Sequence, residues 1–367
     1  MDDGAHGPLS IVHGQIQNMK RFLFALLVLV SLSACAPIKI SEPASIPTTV
    51  DTAMPTATPI PVIELHRGIN MGNMLEAPNE GEWGLTVHEE YFDLIQQAGF
   101  DFVRLPVRWN SHADESAPYT VDPAFFHRID EVVGWALKCN LTIIIDFHHY
   151  EELMSDPWDH KDRFLAIWEQ IAEHYRDYPP TVLFELLNEP NDQLDAALWN
   201  QYAGEALVVI RASNPTRDVV IGPSQWNSFN WITTVDVPND PHVVFTFHYY
   251  EPFQFTHQGA DWAGPESQGW LGTTWDATDA QKAEVTSNFD LVADWAKRHG
   301  NLRILLGEFG AYSRADMASR VRWMTYVRSE AERHGFAWAY WEFGSGFGAY
   351  DPDANQWREQ LLRALIP

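Results

Sequence analysis

Two carboxylates stand where chemistry could be done. Glu189 follows the apolar run Val182-Leu183-Phe184 and Leu186-Leu187 in Asn188-Glu189-Pro190. Proline removes a ladder donor, so the strand must stop there, and Glu189 is expected at its carboxyl end. Glu308 sits alike in Gly307-Glu308-Phe309-Gly310, after the apolar Ile304–Leu306. Two carboxyl groups facing each other across a cleft can cut a glycosidic bond. One gives a proton to the leaving oxygen and the other, ionised, attacks the anomeric carbon. That needs two environments that pull the pKa values apart. Arg104, two residues into another apolar stretch, and Tyr250 are placed to keep one carboxylate ionised. A plain structural ion pair at Arg104 is the other reading of that residue.

Positioning them requires strands whose ends converge. From Glu64 onward short apolar strands alternate with amphipathic helices. Strands are expected at His66–Asn70, Phe102–Leu105, Leu141–Asp146, Val182–Leu187, Val219–Ile221, Val243–Phe247, Ile304–Leu306 and Ala337–Trp341. Helices are expected near 87–98, 122–138, 160–176, 195–213, 227–234, 279–299, 315–334 and 355–365, with Asp122-Pro123 and Ser313 or Asp316 as starts. Eight such repeats predict an α/β fold, a (β/α)8 TIM barrel as a single catalytic domain over 63–367. An open doubly wound sheet is the alternative, but no Gly-rich phosphate loop follows the first strand.

In a parallel barrel the carboxyl ends of the strands carry the ligand site. Here they carry Asn70, Asn73 and Glu76; Arg104; Asp146, His148 and His149; Asn188 and Glu189; His248 and Tyr250; Glu308; and Trp341 and Glu342. Burial of apolar surface does not require a polar residue at nearly every strand end. The segment 250–278, rich in Trp and Gly, is expected to fold over that face.

Composition narrows the partners. The chain of 367 residues has a net charge of −26, which disfavours nucleic acid, and 16 Trp, which suits stacking on sugar faces as well as core packing. No Cys/His zinc spacing occurs, and the His148-His149 pair, in an extended segment, would project to different faces, so neither a metal nor another cofactor is expected. Residues 1–34 read as an upstream segment and an export signal, with Lys20-Arg21 before the apolar Phe22–Leu32. Leu32-Ser33-Ala34-Cys35 resembles a bacterial lipobox, which implies lipidation of Cys35 and a surface or periplasmic-face anchor; ordinary cleavage and secretion is the alternative. Residues 35–62, rich in Pro and Thr, form a tether, and nothing signals an oligomer, so a monomer is expected.

Taken in order, Arg67-Gly68-Ile69-Asn70, Arg104, His148, Asn188-Glu189-Pro190, His248-x-Tyr250, Gly307-Glu308-Phe309-Gly310 and Trp341 resemble the motifs of glycoside hydrolase family 5, over about residues 64–365. The stretches Gly72–Gly84 and Phe255–Ala260 resemble its subfamily 25 of bacterial endoglucanases and mannanases. The resemblance implies a retaining endo-β-1,4-glucanase, with a β-mannanase as the alternative within the same chemistry. It implies Glu189 as acid/base and Glu308 as nucleophile. Asn188 would bind the 2-hydroxyl, Arg104 and Tyr250 would support Glu308, and His248 would tune Glu189. His148 and Trp341 would hold the −1 sugar, and His149, Asn73, Glu76, His257 and Glu342 would make further sugar contacts. It also implies a cis peptide bond at Trp341–Glu342. From other classes, a non-catalytic sugar-binding lipoprotein would not need this carboxylate pair, and an esterase or metallohydrolase would need a G-x-S-x-G elbow or a metal cluster that the sequence lacks.

Overall fold

The computed structural model describes residues 62–367. The export signal, Cys35 and all but the last residue of the tether lie outside the described residues. Eight parallel strands close into a barrel in chain order: β1 (Arg67–Asn70), β2 (Phe102–Val107), β3 (Thr142–Phe147), β4 (Val182–Glu185), β5 (Val219–Ile221), β6 (Val243–Tyr249), β7 (Ile304–Phe309) and β8 (Ala337–Tyr340). β8 pairs with β1, with Gly68 opposite Ala339, so no edge is left open.

Between the strands run α1 (Glu89–Ala98), α2 (Pro123–Lys138), α3 (Glu151–Ser155), α4 (Pro157–His174), α5 (Ala196–Ser213), α6 (Phe253–Thr256), α7 (Asp279–Arg298), α8 (Met317–Arg333) and, last, α9 (Glu359–Leu365). The caps are local: the Asp122 carboxylate accepts from the Ala124 amide, and the Asp316 carboxylate from the Ser319 amide. α7 starts with a capping box between Thr278 and Gln281. The helix expected over 227–234 is instead a 3-10 helix, Phe229–Thr234. Asn227, at φ 49°, leaves the helical region before it can start, and Asn230, Thr233 and Thr234 are weak helix formers.

Strand periodicity explains how a polar layer comes to lie on an apolar one. Phe102, Ile144, Leu183, Val220, Val244, Leu305 and Ala339 form a dry cluster inside the barrel, closed below by Leu65 with Ile63 against it. Gly68 leaves room for it: a Cβ there would lie 2.3 Å from the Phe102 ring. Two residues further along their strands, on the same inner side, come Arg104, Asp146, Glu185, Thr246 and Gly307. The layer nearest the carboxyl ends is therefore charged. Between barrel and helices lies the larger apolar shell, which includes Trp109, Trp168, Trp199, Trp323 and Trp338. Much of the tryptophan excess is thus core.

Candidate active site

The carboxyl ends of the strands open into a cleft of about 540 Å³ lined by Asn73, Glu76, Trp83, His148, His149, Asn188, Glu189, Tyr250, His257, Trp262, Glu308 and Trp341. An adjoining cavity of about 510 Å³ continues past Glu189 over Trp226, Phe229, His248, Phe253 and Trp262. Glu189 lines both arms, and Glu308 lines the first.

Glu308 is held from two sides. Its Oε1 accepts from Arg104 Nη1 at 2.8 Å, and its Oε2 accepts from the Tyr250 hydroxyl at 2.8 Å. A bulge between Phe247 and His248 brings His248 opposite Glu308. Gly307 makes that approach possible, since a Cβ there would lie 2.4 Å from the Thr246 hydroxyl oxygen. Glu189 leans the other way. It follows β4 with φ 47°, and its Oε1 lies 2.7 Å from His248 Nδ1. Its carbonyl accepts from the Asn191 side chain, and the Trp226 amide donates to the Pro190 carbonyl, so the turn is braced from both ends. One oxygen each of Glu189 and Glu308, with His248 Nδ1, lie within 4.8 Å of one another. A cation held there would displace the proton shared between these groups.

The two carboxyls do not have equal environments. Burial raises Glu189 to about 7, partly countered by Arg104 and reinforced by the charge of Glu185. Burial also raises Glu308, but the Arg104 charge and the Tyr250 hydrogen bond pull it back. The proton of the pair therefore sits on Glu189, and the macroscopic titrations belong to both groups together. Burial pushes His248 down to about 4, so its ring is neutral. His148 is also far below its usual range through burial. Its Nδ1 lies 2.5 Å from Asp146 Oδ2, and its Nε2 lies 3.2 Å from the Asn188 amide nitrogen. That pattern assigns the Nδ1–H tautomer, as an Asp-braced histidine requires.

Asn188 accepts from Arg104 Nη2 through Oδ1, which fixes which end of its amide faces His148. Trp341 lies parallel to His148, with ring centroids 5.8 Å apart, and the Trp341–Glu342 bond is cis, as the family resemblance implied. His257 lines both arms of the cleft, stacked on Phe253.

Three expectations need correction. His149 has φ 57°, so the segment is not extended there; its ring meets that of His148 at 4.4 Å, and both line the same cleft. Glu342, expected among the sugar contacts, does not line the cleft. It is wholly buried, and its carboxylate accepts the Gly344 and Phe347 amides of its own loop. Glu76 reaches the cleft wall, but its carboxylate turns back to the amides of Asn73 and Met74 and is 1% exposed. Its first duty is to shape the loop that carries Asn73. The residue that sequence reasoning passed over is Glu185, a lone carboxylate in an apolar strand, which grips Arg104. The cleft aromatic Trp226 carried no signal apart from its type, and Trp83 was marked only by its place in the Gly72–Gly84 stretch.

A family model described as cellulase (glycosyl hydrolase family 5) matches residues 65–346. Endoglucanase H of Acetivibrio thermocellus is 38% identical over 311 residues, covering 83% of this chain and 33% of its own length. The cellulase/esterase CelE of the same organism is 28% identical, with 77% of this chain and 36% of its own length covered. The chain thus spans about a third of the length of these two curated relatives. Among solved structures, the endoglucanase Cel5A from the hyperthermophilic Thermotoga maritima superposes with a TM-score of 0.80 at 47% identity, covering 82% of this chain and 97% of that one. Structures of that protein include complexes with cellobiose and with mannotriose. With an eight-stranded barrel, the paired carboxyls at its mouth and a family match over most of its length, this chain belongs to glycosyl hydrolase family 5, the cellulase family.

Proposed function

We propose that the protein is a retaining endo-β-1,4-glucanase that cuts internal bonds of β-1,4-linked glucans by double displacement. The observation that carries this reading is the Glu189–Glu308 pair, with carboxylate oxygens within 4.8 Å. Retaining enzymes hold their two carboxyls about 5–5.5 Å apart and inverting ones about 6.5–9.5 Å, leaving room for a water.

In the first step Glu308 attacks the anomeric carbon while Glu189 passes its proton to the leaving glycosidic oxygen. A glycosyl–Glu308 ester forms and the aglycone sugar departs. In the second step Glu189, now ionised, takes a proton from water. The hydroxide equivalent displaces Glu308, and the β-configured product leaves. Arg104 and Tyr250 hold Glu308 ionised and aimed, 2.8 Å away on either side. His248 orients Glu189. Asn188, fixed by Arg104, faces the sugar next to the ester bond. Trp341 and His148 support the −1 ring, with Asn73, His149 and His257 on the walls. Both charges come from the protein, so the chemistry needs no metal or other cofactor.

An open cleft with aromatic surfaces on both sides of the pair suits internal attack on a chain. The glucan reading rests on the endoglucanase relatives. The test is proton NMR of a cellotetraose digest. The β-anomer is expected first, and initial release of the α-anomer would overturn the retaining assignment. The mannotriose complex of the Thermotoga protein is the reason to include mannotetraose. A tenfold higher kcat/KM on mannan, about 1.4 kcal/mol in the transition state, would reverse the substrate order.

The same reading includes export and a lipid anchor. It is supported by Lys20-Arg21, the apolar Phe22–Leu32 and the lipobox-like Leu32–Cys35. Pro/Thr-rich residues 35–62 would tether a monomeric enzyme to a bacterial surface. In cells, Cys35→Ser is expected to move the enzyme from the detergent-extracted membrane fraction to the soluble one. Unchanged partition would remove the anchor from the proposal.

A further inference from the structure

We infer that Glu185, which touches no substrate in the hydrolytic cycle, is a positioning residue that aims Arg104 and keeps the proton on Glu189. The inference deepens the reading above and rests on its assignment of Glu189 as acid/base.

Glu185 lies on the inner face of β4, four residues before Glu189, and is fully buried. It grips Arg104 side-on: Nε donates to Oε2 at 2.7 Å, and Nη2 donates to Oε1 at 2.9 Å. A bidentate fork fixes the plane of a guanidinium as well as its place. With the Nε–Nη2 edge so occupied, Nη1 can point only across the barrel. There it donates to Asn70 Oδ1 at 2.9 Å and to Glu308 Oε1 at 2.8 Å. Nη2 also donates to Asn188 Oδ1 at 2.9 Å and lies 3.0 Å from Asp146 Oδ2. One arginine thus orders Asn70, Asn188 and the Glu308 carboxylate, and Glu185 orders the arginine. β2 and β4 are not neighbours, since β3 runs between them, so the contact is not a by-product of strand pairing.

Charge adds a second effect. A single buried cation faces three carboxylates, Asp146, Glu185 and Glu308. Left to itself, Arg104 would draw both members of the working pair toward ionisation. Glu185 neutralises part of that charge and adds its own negative charge beneath Glu189. The titratable groups around it are Arg104 from β2, Asp146 from β3, His148 just after β3, Glu189 after β4, His248 from β6 and Glu308 from β7. His148 and His248 are neutral, so they do not offset its charge.

The experiment is a pH profile of kcat/KM on a cello-oligosaccharide for the full chain and for Glu185→Asp and Glu185→Gln. Glu185→Gln removes the charge and one arm of the fork. The basic limb is expected to move acidward by about half a pH unit or more, the scale of one buried like charge in such a site. The acid limb should move the same way, because Arg104 then acts more strongly on Glu308. Glu185→Asp keeps the charge but withdraws it from Glu189, so its limb should fall between the other two. Where Glu185→Gln fails to fold, Glu185→Asp decides alone. A lower melting temperature or lower kcat with the limbs in place would mark a merely structural ion pair and overturn the inference. So would a basic limb that moves upward. Glu189→Gln is run in parallel. A limb that vanishes there but stays put in both Glu185 variants overturns this inference alone; a limb that survives in Glu189→Gln overturns the acid/base assignment and this inference with it.

Discussion

Replacing Glu308 with Ala is expected to lower kcat on cellotetraose by about 10⁴-fold or more, or some 5.5 kcal/mol of transition-state stabilisation. Among the described residues no other carboxylate is placed to take over as nucleophile. Asp146 and Glu185 are fully buried and turned to Arg104, and Glu189 serves the leaving group on the other side of the bond. The loss should be chemical and not structural, because Arg104 keeps two carboxylate partners and Tyr250 loses a single bond to a cleft-lining oxygen. The methyl group also leaves a void below the sugar that a small anion can enter. Azide added to Glu308→Ala with an activated aryl cellobioside should therefore restore turnover in part. It should give the α-glycosyl azide, since it attacks from the face that Glu308 vacates. Hydrolysis within tenfold of the parent, or rescue yielding the β-azide, would remove Glu308 from the nucleophile's role.

What the sequence disclosed and what it hid follow from one difference in the physics. A parallel strand covered on both faces must be apolar over most of its length, so a polar residue at its carboxyl end stands out. That made Asn188, Glu189, Glu308, His148 and Tyr250 visible as a set, and the spacing of eight such runs gave the barrel. Caps such as Asp122 and Asp316 were legible because they act over three residues. The fate of a carboxylate beyond the strand end is not local in that way. Glu76 and Glu342 follow the ends of β1 and β8, yet both turn back to cap amides of their own loops. Only the path of those loops, set by packing on the rest of the barrel, decides between a sugar and a backbone amide. His149 failed for a related reason: one left-handed residue reverses a side chain, and the dipeptide His148-His149 carries no glycine to announce it. Glu185 was hidden by its surroundings. Flanked by Phe184 and Leu186, it reads as a blemish in an apolar run until the barrel closes and Arg104 arrives from β2.

Replacing Glu189 with Gln is expected to give a loss that depends on the leaving group. With cellotetraose, whose leaving oxygen needs a proton, kcat/KM should fall by about 10²–10⁴-fold, the usual worth of general acid catalysis. With 2,4-dinitrophenyl β-cellobioside, whose phenolate leaves unaided, formation of the glycosyl–Glu308 ester should stay close to the parent rate. Its hydrolysis should be slow, because no base remains to activate water, so a burst of one phenolate per enzyme should precede a low steady state. The pH dependence gives the same residue a second signature. Glu189 must be protonated to act as the acid, and burial holds it at about 7. In the parent enzyme kcat/KM should therefore fall as pH rises through that region, while ionisation of Glu308 sets the fall on the acid side. Glutamine does not titrate, so the basic limb should disappear in the variant and the acid limb should remain. The asymmetry between the two carboxyls makes this a strict requirement. Were the proton on Glu308 and the charge on Glu189, the burst would be absent and the acid limb would be lost instead, and either result would exchange the two roles.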